Sequence, residues 1–172
     1  MPKPIIFLTH TDADRARDYP APALAALREL ADIRLNRSPD PLHGDALIQA
    51  ASGAQIIVAD RQTPGPAGLF AAGPQLVAFV CAAADSRTVD VPAASARGVL
   101  VTQTADANPA METTRQVAEI LRGIAPDGAV NPEAALRLRR FAPPLAPEVG
   151  GTEGPEPTRY GDWQHKGRVT DF

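Results

Sequence analysis

Apolar and polar positions fall into short blocks along the chain, and the period of the pattern switches from block to block. Pro4–His10 is an apolar run with β-branched and aromatic residues, the pattern of a buried strand. A polar stretch follows and predicts a loop, after which Leu24, Leu27, Leu30 and Ala31 recur at helical spacing. Ala31–Arg37 alternates apolar with polar, as an edge strand does. Ala46, Leu47, Ala50 and Ala51 predict a second helix closed by Gly53. Ala54–Asp60 reads as a further buried strand, and Pro64–Gly73 as a Gly/Pro-rich connection with one helical turn around Leu69 and Phe70. Gln75–Ala83 supplies the fourth strand, Val91–Arg97 a short helix starting near Pro92 and ended by Gly98, and Val99–Thr104 the fifth strand. Asn108 then stands where it can cap a helix with Pro109 in the first turn. The stripe predicted to be buried on that helix is Thr114, Val117, Ala118 and Leu121, ended by Gly123.

Strands alternating with helices through short connections mean a mainly parallel sheet covered on both faces. Five strands at this spacing fit a flavodoxin-like, doubly wound α/β fold with order 2-1-3-4-5. The prolines, 18 in 172 residues, thicken from Pro143 onward, and this places a boundary there: an α/β domain over 1–142, then a linker and tail over 143–172. Residues 123–141 are expected to pack back on the domain. Within them Arg137, Arg139 and Arg140 alternate with Leu136, Leu138 and Phe141 and read as a solvated helix end.

Composition changes the picture at three points. The net charge of −3 is spread over domain and tail without a basic patch, which argues against nucleic acid or an anionic membrane surface as partner. No run approaches a membrane span, and the opening MPKPIIFLTH has neither a signal-peptide nor a transit-peptide pattern, so a bacterial cytoplasmic protein is expected. The single cysteine, Cys81, lies in an apolar run, as a buried structural thiol does.

The tail is the part that composition alone makes unusual. Gly150-Gly151, Pro155 and Pro157 weaken any helix or central strand, yet the segment holds Tyr160, the only Trp in the chain (Trp163), Phe172, and the cations Arg159, Lys166 and Arg168. Trp, Tyr and Arg dominate interface hot spots, whereas a solubilising tail draws on Ser, Glu, Lys and Gln. Its Pro and Gly content predicts that 143–172 is mobile or only loosely docked in the isolated protein.

The text Gly154-Pro155-Glu156-Pro157-Thr158-Arg159-Tyr160-Gly161-Asp162-Trp163, followed by Lys166-Gly167-Arg168 and Asp171-Phe172, resembles the C-terminal signature of the succinate dehydrogenase assembly factor 4 family. The resemblance covers about two dozen residues and implies a chaperone that binds the flavinylated catalytic subunit of succinate dehydrogenase before the iron–sulfur subunit docks. FAD is then expected on the partner, and no cofactor on this chain. Tyr160 and Trp163 would serve as rigid anchors, Arg159 and Arg168 as forked donors to carboxylates or flavin phosphates, and Asp171 with the α-carboxylate of Phe172 as two negative groups aimed at a dicarboxylate pocket.

The body carries a second resemblance. Arg87–Asn108 (RTVDVPAASARGVLVTQTADAN) and Arg122–Ala134 (RGIAPDGAVNPEA) are similar to the first and closing pieces of the substrate-binding domain of D-isomer-specific 2-hydroxyacid dehydrogenases. The nucleotide-binding domain that normally separates them is missing, and the family's catalytic Arg, Glu and His go with it. No two glycines are separated by a single residue, so the Gly-x-Gly turn of a dinucleotide site cannot form. After the fourth strand, where the family favours glycines, the chain reads Cys81-Ala82-Ala83-Ala84.

Other chemistry is sparse. His10, beside Thr9, Thr11 and Asp12 at the end of strand one, sits where open α/β sheets bind ligands and is a candidate for a small anion or dicarboxylate; a solvated loop is the plainer reading. His43 suits a helix start, His165 falls in the tail, and the three histidines have no metal-ligand spacing. Asp85, Asp90 and Asp106 read as turn and cap residues. The sequence therefore predicts a non-catalytic assembly factor, with a hydroxy- or keto-acid binding protein as the alternative; an active dehydrogenase would need its nucleotide domain from another chain.

Overall fold

The computed structural model describes residues 2–105 and 108–142. Five strands, β1 (Ile5–Leu8), β2 (Asp32–Leu35), β3 (Ile56–Ala59), β4 (Ala78–Cys81) and β5 (Leu100–Gln103), form one parallel sheet in the order β2-β1-β3-β4-β5. This is the flavodoxin-like order expected from the pattern. β3 and β4 are buried at every position because helices cover both faces. On one face Ile6, Leu8, Ile56, Val58, Val80 and Leu100 pack with Leu27, Val117 and Ile120. On the other, Phe7, Ile57, Phe79 and Val101 pack with Leu47, Leu69 and Phe70. The alternation along each strand is the period of two that sends successive side chains to opposite faces.

The helices are α1 (Asp12–Asp18), α2 (Ala21–Leu30), α3 (Gly44–Ala50), α4 (Ala67–Ala72), α5 (Val91–Ala96) and α6 (Pro109–Ile120). Asn108 caps α6 by accepting from the Met111 amide at 3.2 Å, and Asp90 caps α5 through the Ala93 amide at 3.0 Å. Backbone turns left-handed at Gly53, Gly98 and Gly123, the three glycines predicted to end helices.

Two expectations need correction. α1 occupies the stretch read as a loop. It buries no residue and so has no apolar period; Thr11 caps it on the Asp14 amide, and Arg15–Asp12 and Arg17–Asp14 pairs run along it. The stripe of α6 is also rotated by about one residue: Ala110, Thr113, Gln116, Val117 and Ile120 are buried, while Thr114, Ala118 and Leu121 are half-buried. Two of those buried positions are polar. Gln116 faces β5, accepting from the Thr102 hydroxyl at 2.7 Å and donating to the Gln103 carbonyl at 3.0 Å, so hydropathy could not find it.

Residues 123–141 do pack back. Val130 donates to the Val101 carbonyl at 2.8 Å, Gln103 donates to the Gly128 carbonyl at 3.0 Å, and Asn131 fills the remaining edge of β5. Its side chain accepts from the Val101 amide at 2.6 Å and donates to the Val99 carbonyl at 3.0 Å and the Ser95 hydroxyl at 2.8 Å. A 3₁₀ segment, Pro132–Arg140, follows, with Leu138 fully buried. Its basic run is not merely solvated. Arg137 donates to the Leu76 carbonyl at 3.1 Å and Arg140 to that of Gln75 at 3.2 Å, which ties the segment to the loop before β4; Arg139 is exposed.

Gly128 has no room for a side chain: a Cβ there would overlap the Gln103 carbonyl oxygen and stand 2.5 Å from the Gln116 amide nitrogen. Gly128→Ala is expected to cost about 2 kcal/mol or more by overpacking. Asn131→Ala should cost a similar ~2–3 kcal/mol by orphaning buried backbone groups at β5. Urea unfolding of each full-length variant measures both, and a loss below about 0.5 kcal/mol, the scale of an ordinary surface change, contradicts the closing role given to this segment.

Candidate functional site

In an open parallel sheet the carboxyl ends of the strands are where backbone groups and loop side chains converge without a helix between them. Here Thr9 ties three of those ends together. Its amide donates to the Val58 carbonyl at 3.0 Å, its hydroxyl accepts from the Asp60 amide and the Thr63 hydroxyl at 2.9 Å each, and its carbonyl accepts from the Asn36 side chain at 2.9 Å. Asp60 Oδ1 accepts from the Gln62 and Thr63 amides at 2.8 and 2.7 Å. The loop after β3 is thereby fixed, which aims Arg61 outward.

A cleft of about 420 Å³ opens between the loops after β3, β4 and β5. Arg61, Ala82–Asp85, Thr88, Thr104 and Ala105 line it. The Ala82 amide is spent on the Ala59 carbonyl at 2.8 Å, and the Thr104 amide is shared between the Cys81 and Ala83 carbonyls at 3.2 Å each. Among the described residues the Ala83 and Ala84 amides meet no acceptor, and Arg61 is exposed without an ion pair. Asp85 is engaged by Arg87, whose guanidinium hydrogen bonds hold its carboxyl below the usual carboxylate range. Among the described residues, a guanidinium without an ion pair beside two unpaired amides and the Thr88 hydroxyl suits a small anion, a carboxylate in particular, while the Thr104 hydroxyl donates to the Cys81 carbonyl at 3.4 Å. The loop is built of alanines rather than glycines.

The cleft is poorly equipped for proton or covalent chemistry. Cys81, at the carboxyl end of β4, is buried and its thiol is pushed up to about 12 by that burial, so it is a packed structural group as the sequence suggested. No group of three His, Cys, Asp or Glu among the described residues could hold a metal ion. Asp90 is a cap and Asp85 a turn residue, as expected; Asp106 lies outside the described residues. His43 does precede α3, without capping it through its side chain.

His10 corrects both of its sequence readings. It is neither in a solvated loop nor in the wall of the cleft: it is fully buried, with both ring nitrogens lacking a hydrogen-bond partner among the described residues. Its ring meets that of Tyr19 edge-on at 4.9 Å between centroids. Burial lowers its pKa, against the opposing pull of Asp60, Asp18 and Asp14. Burial likewise pushes the Tyr19 phenol up to about 12; the nearby Thr113 hydroxyl opposes that rise, and neither hydroxyl has a hydrogen-bond partner among the described residues. The cause was invisible in sequence, because α1, which leads into Tyr19, was not predicted.

The partner-binding residues predicted between Gly154 and Phe172, with His165 and the expected mobility of 143–172, lie outside the described residues. No helix among the described residues is long and apolar enough to cross a membrane.

A histidine held neutral in the fold binds fewer protons than in the unfolded chain below its ordinary pKa of about 6.5. Its contribution is fully present above that pH and is lost as pH falls through it, at up to about 1.4 kcal/mol per pH unit for one proton. His10→Phe keeps the aromatic contact and removes the proton site. Unfolding free energies measured from pH 7 to pH 5 should therefore fall more steeply for the wild type than for the variant, and equal slopes contradict the neutral buried imidazole.

Comparison with known proteins places this geometry. The putative D-isomer specific 2-hydroxyacid dehydrogenase from Polaromonas sp. superposes with a TM-score of 0.53 at 22% identity, over 62% of this chain and 31% of that one. The TT0316 protein from Thermus thermophilus gives 0.52 at 23%, over 69% and 37%, and a putative D-3-phosphoglycerate dehydrogenase from Ralstonia solanacearum gives 0.51 at 19%, over 69% and 35%. At these identities the likeness is one of fold, and the chain spans about a third of each. A family described as a protein of unknown function, DUF1674, matches residues 127–172. Curated relatives called UPF0369 protein are 72% identical over 29 residues in Rickettsia felis and 80% over 25 in Rickettsia prowazekii, covering 17% and 14% of this chain and 37% and 32% of theirs. The profile of the D-isomer specific 2-hydroxyacid dehydrogenase catalytic domain matches residues 13–139, most of the chain, and the chain belongs to that family.

Proposed function

We propose that the chain is a non-catalytic assembly factor for succinate dehydrogenase. Residues 143–172 form its linker and partner-binding tail, and the α/β domain is the carrier. One observation supports this above others: the near-continuous likeness of GPEPTRYGDW, KGR and DF to the assembly factor 4 signature. The tail binds the flavinylated catalytic subunit and holds it until the iron–sulfur subunit arrives, so FAD belongs to the partner. This work suits a cytoplasmic protein in a bacterium. In that role Tyr160 and Trp163 fill pockets, Arg159 and Arg168 make forked contacts, and Gly161 and Gly167 let the backbone bend between them.

The absence of a Gly-x-Gly turn from the sequence supports a body without hydride-transfer activity. A second reading rests on Arg61 and the free Ala83 and Ala84 amides: the cleft holds a small 2-hydroxy or 2-oxo carboxylate without turning it over.

Binding of the isolated flavinylated subunit to the full-length chain separates the readings. Trp163→Ala should weaken binding by about 30-fold or more, the effect of losing a hot-spot anchor of about 2 kcal/mol. Arg159→Ala should weaken it too, and truncation after Ala146 should abolish it. Unchanged affinity on truncation, or normal succinate dehydrogenase assembly in cells lacking the gene, ends the assembly reading. Calorimetric titration with NADH should show no binding, and no 2-hydroxy or 2-oxo acid should be turned over. Saturable binding of lactate or pyruvate that Arg61→Ala removes would favour the second reading.

A further inference from the structure

The two edges of the sheet are finished differently. Residues 128–131 close the edge at β5, whereas β2 pairs with β1 on one side and, among the described residues, with no strand on the other. Asp32 and Asn36 turn their amides toward β1, donating to the Pro4 and Leu8 carbonyls at 2.9 and 3.0 Å. Backbone direction alternates along a strand, so the amides and carbonyls of Ile33 and Leu35 point away from β1. None of these four groups has a hydrogen-bond partner among the described residues.

Cations surround that open edge. A cleft of about 420 Å³ lies against β2, and Arg28, Arg34 and Arg37 line it together with Ile33 and Leu35; Asp32 is the acid in its wall. Ile33 and Leu35 pack on the α2 face of the sheet, and Arg28 comes from the last turn of that helix. Arg34 leans to the opposite face, where its Nη1 donates to the Ala50 and Ser52 carbonyls at 3.2 and 2.5 Å. The strand is thus flanked by a guanidinium on each face, and exposed Arg37 follows its end. Arg15, Arg17, Arg87 and Arg115 are neutralised by carboxylates, but Arg28, Arg34 and Arg37 have no ion pair among the described residues.

Two properties define what fits. Four residues at about 3.3 Å each give an open edge roughly 13 Å long, which an extended peptide matches with its own alternation of donors and acceptors. The three guanidiniums call for carboxylates, whose paired oxygens accept from the fork of an arginine. Single-stranded DNA supplies phosphates for the arginines, but its backbone has no donor for the Ile33 and Leu35 carbonyls. A second copy pairing through the same edge would set arginines against arginines, and like charges directly opposite destabilise a strand pair.

We propose that the β2 edge docks an acidic, extended segment of a partner protein, which adds to the sheet as a further strand. The backbone of that segment pairs with Ile33 and Leu35. Its carboxylates meet Arg28 on one face and Arg34 on the other, with Arg37 at the end. The site lies on the edge of the sheet away from β5 and is independent of what the tail binds.

Titration of the full-length protein with a capped, fluorescent hexapeptide of alternating glutamate and valine tests this. Saturable binding is expected, with a Kd below about 1 mM. Methylating every amide nitrogen of the peptide keeps its charge and removes its donors. That should weaken binding about ten-fold or more, through the loss of hydrogen bonds of about 1 kcal/mol each. Replacing the glutamates by lysines should abolish binding, and a dT hexanucleotide should not bind. In the protein, Arg28→Glu/Arg37→Glu changes two exposed side chains and should weaken binding about ten-fold, as two attractions of about 1 kcal/mol are lost or reversed. The peptide series on the wild type needs no variant, so misfolding cannot hide a failure. Absence of saturable binding overturns the proposal. So does equal affinity for the methylated peptide, which would mean charge without strand pairing, and so does unchanged affinity in the variant. Equal or tighter binding of the hexanucleotide also overturns it, as does self-association of the wild type that the variant lacks, the mark of a second copy at this edge.

Discussion

The domain depends on how the edge of β5 is closed. Leu100 and Val101 are fully buried, so the backbone groups on the far side of that strand cannot turn to water. Residues 128–131 meet the need with one antiparallel bridge, Thr102 to Ala129, and with the side chain of Asn131 set between Val99 and Val101. A side-chain amide donates and accepts at once, which is what a strand edge requires. The 3₁₀ segment that follows is then held against the sheet by Leu138 and by two arginines reaching the loop before β4. Residues 123–140 thus dock directly on β5 and on the loop before β4.

With the sheet complete, its carboxyl edge becomes a rigid rim. Thr9 links the ends of β1, β2 and β3 through four hydrogen bonds, and this holds the loop that carries Arg61. The loop after β4 contributes amides and no reactive side chain. Such a rim can hold a small anion; its Cys81 thiol is buried and pushed up to about 12, and no set of metal ligands stands among the described residues. The only Trp, one of the two Tyr and two arginines stand in the last two dozen residues.

The number of strands, their order and several helix ends, though not α1, could be read from the sequence alone. Strand runs such as IIVA and AFVC are apolar at each position because both faces are covered, and Asn108, Asp90 and the glycines at 53, 98 and 123 mark helix ends with local chemistry that needs no tertiary context. Only the tertiary structure decided where polar residues go inside. Gln116 is buried on α6 because β5 offers it a hydroxyl and a carbonyl, and this turned the helix by about one position from its hydropathy stripe; Thr113 is buried beside it without a side-chain partner among the described residues. Charged α1 forms through a cap and ion pairs without an apolar face, and by forming it carries Tyr19 onto His10 and removes that histidine from solvent. Hydropathy reports transfer from water to oil; it is silent on polar groups that find their partners within the fold, and those are the groups the tertiary structure had to place.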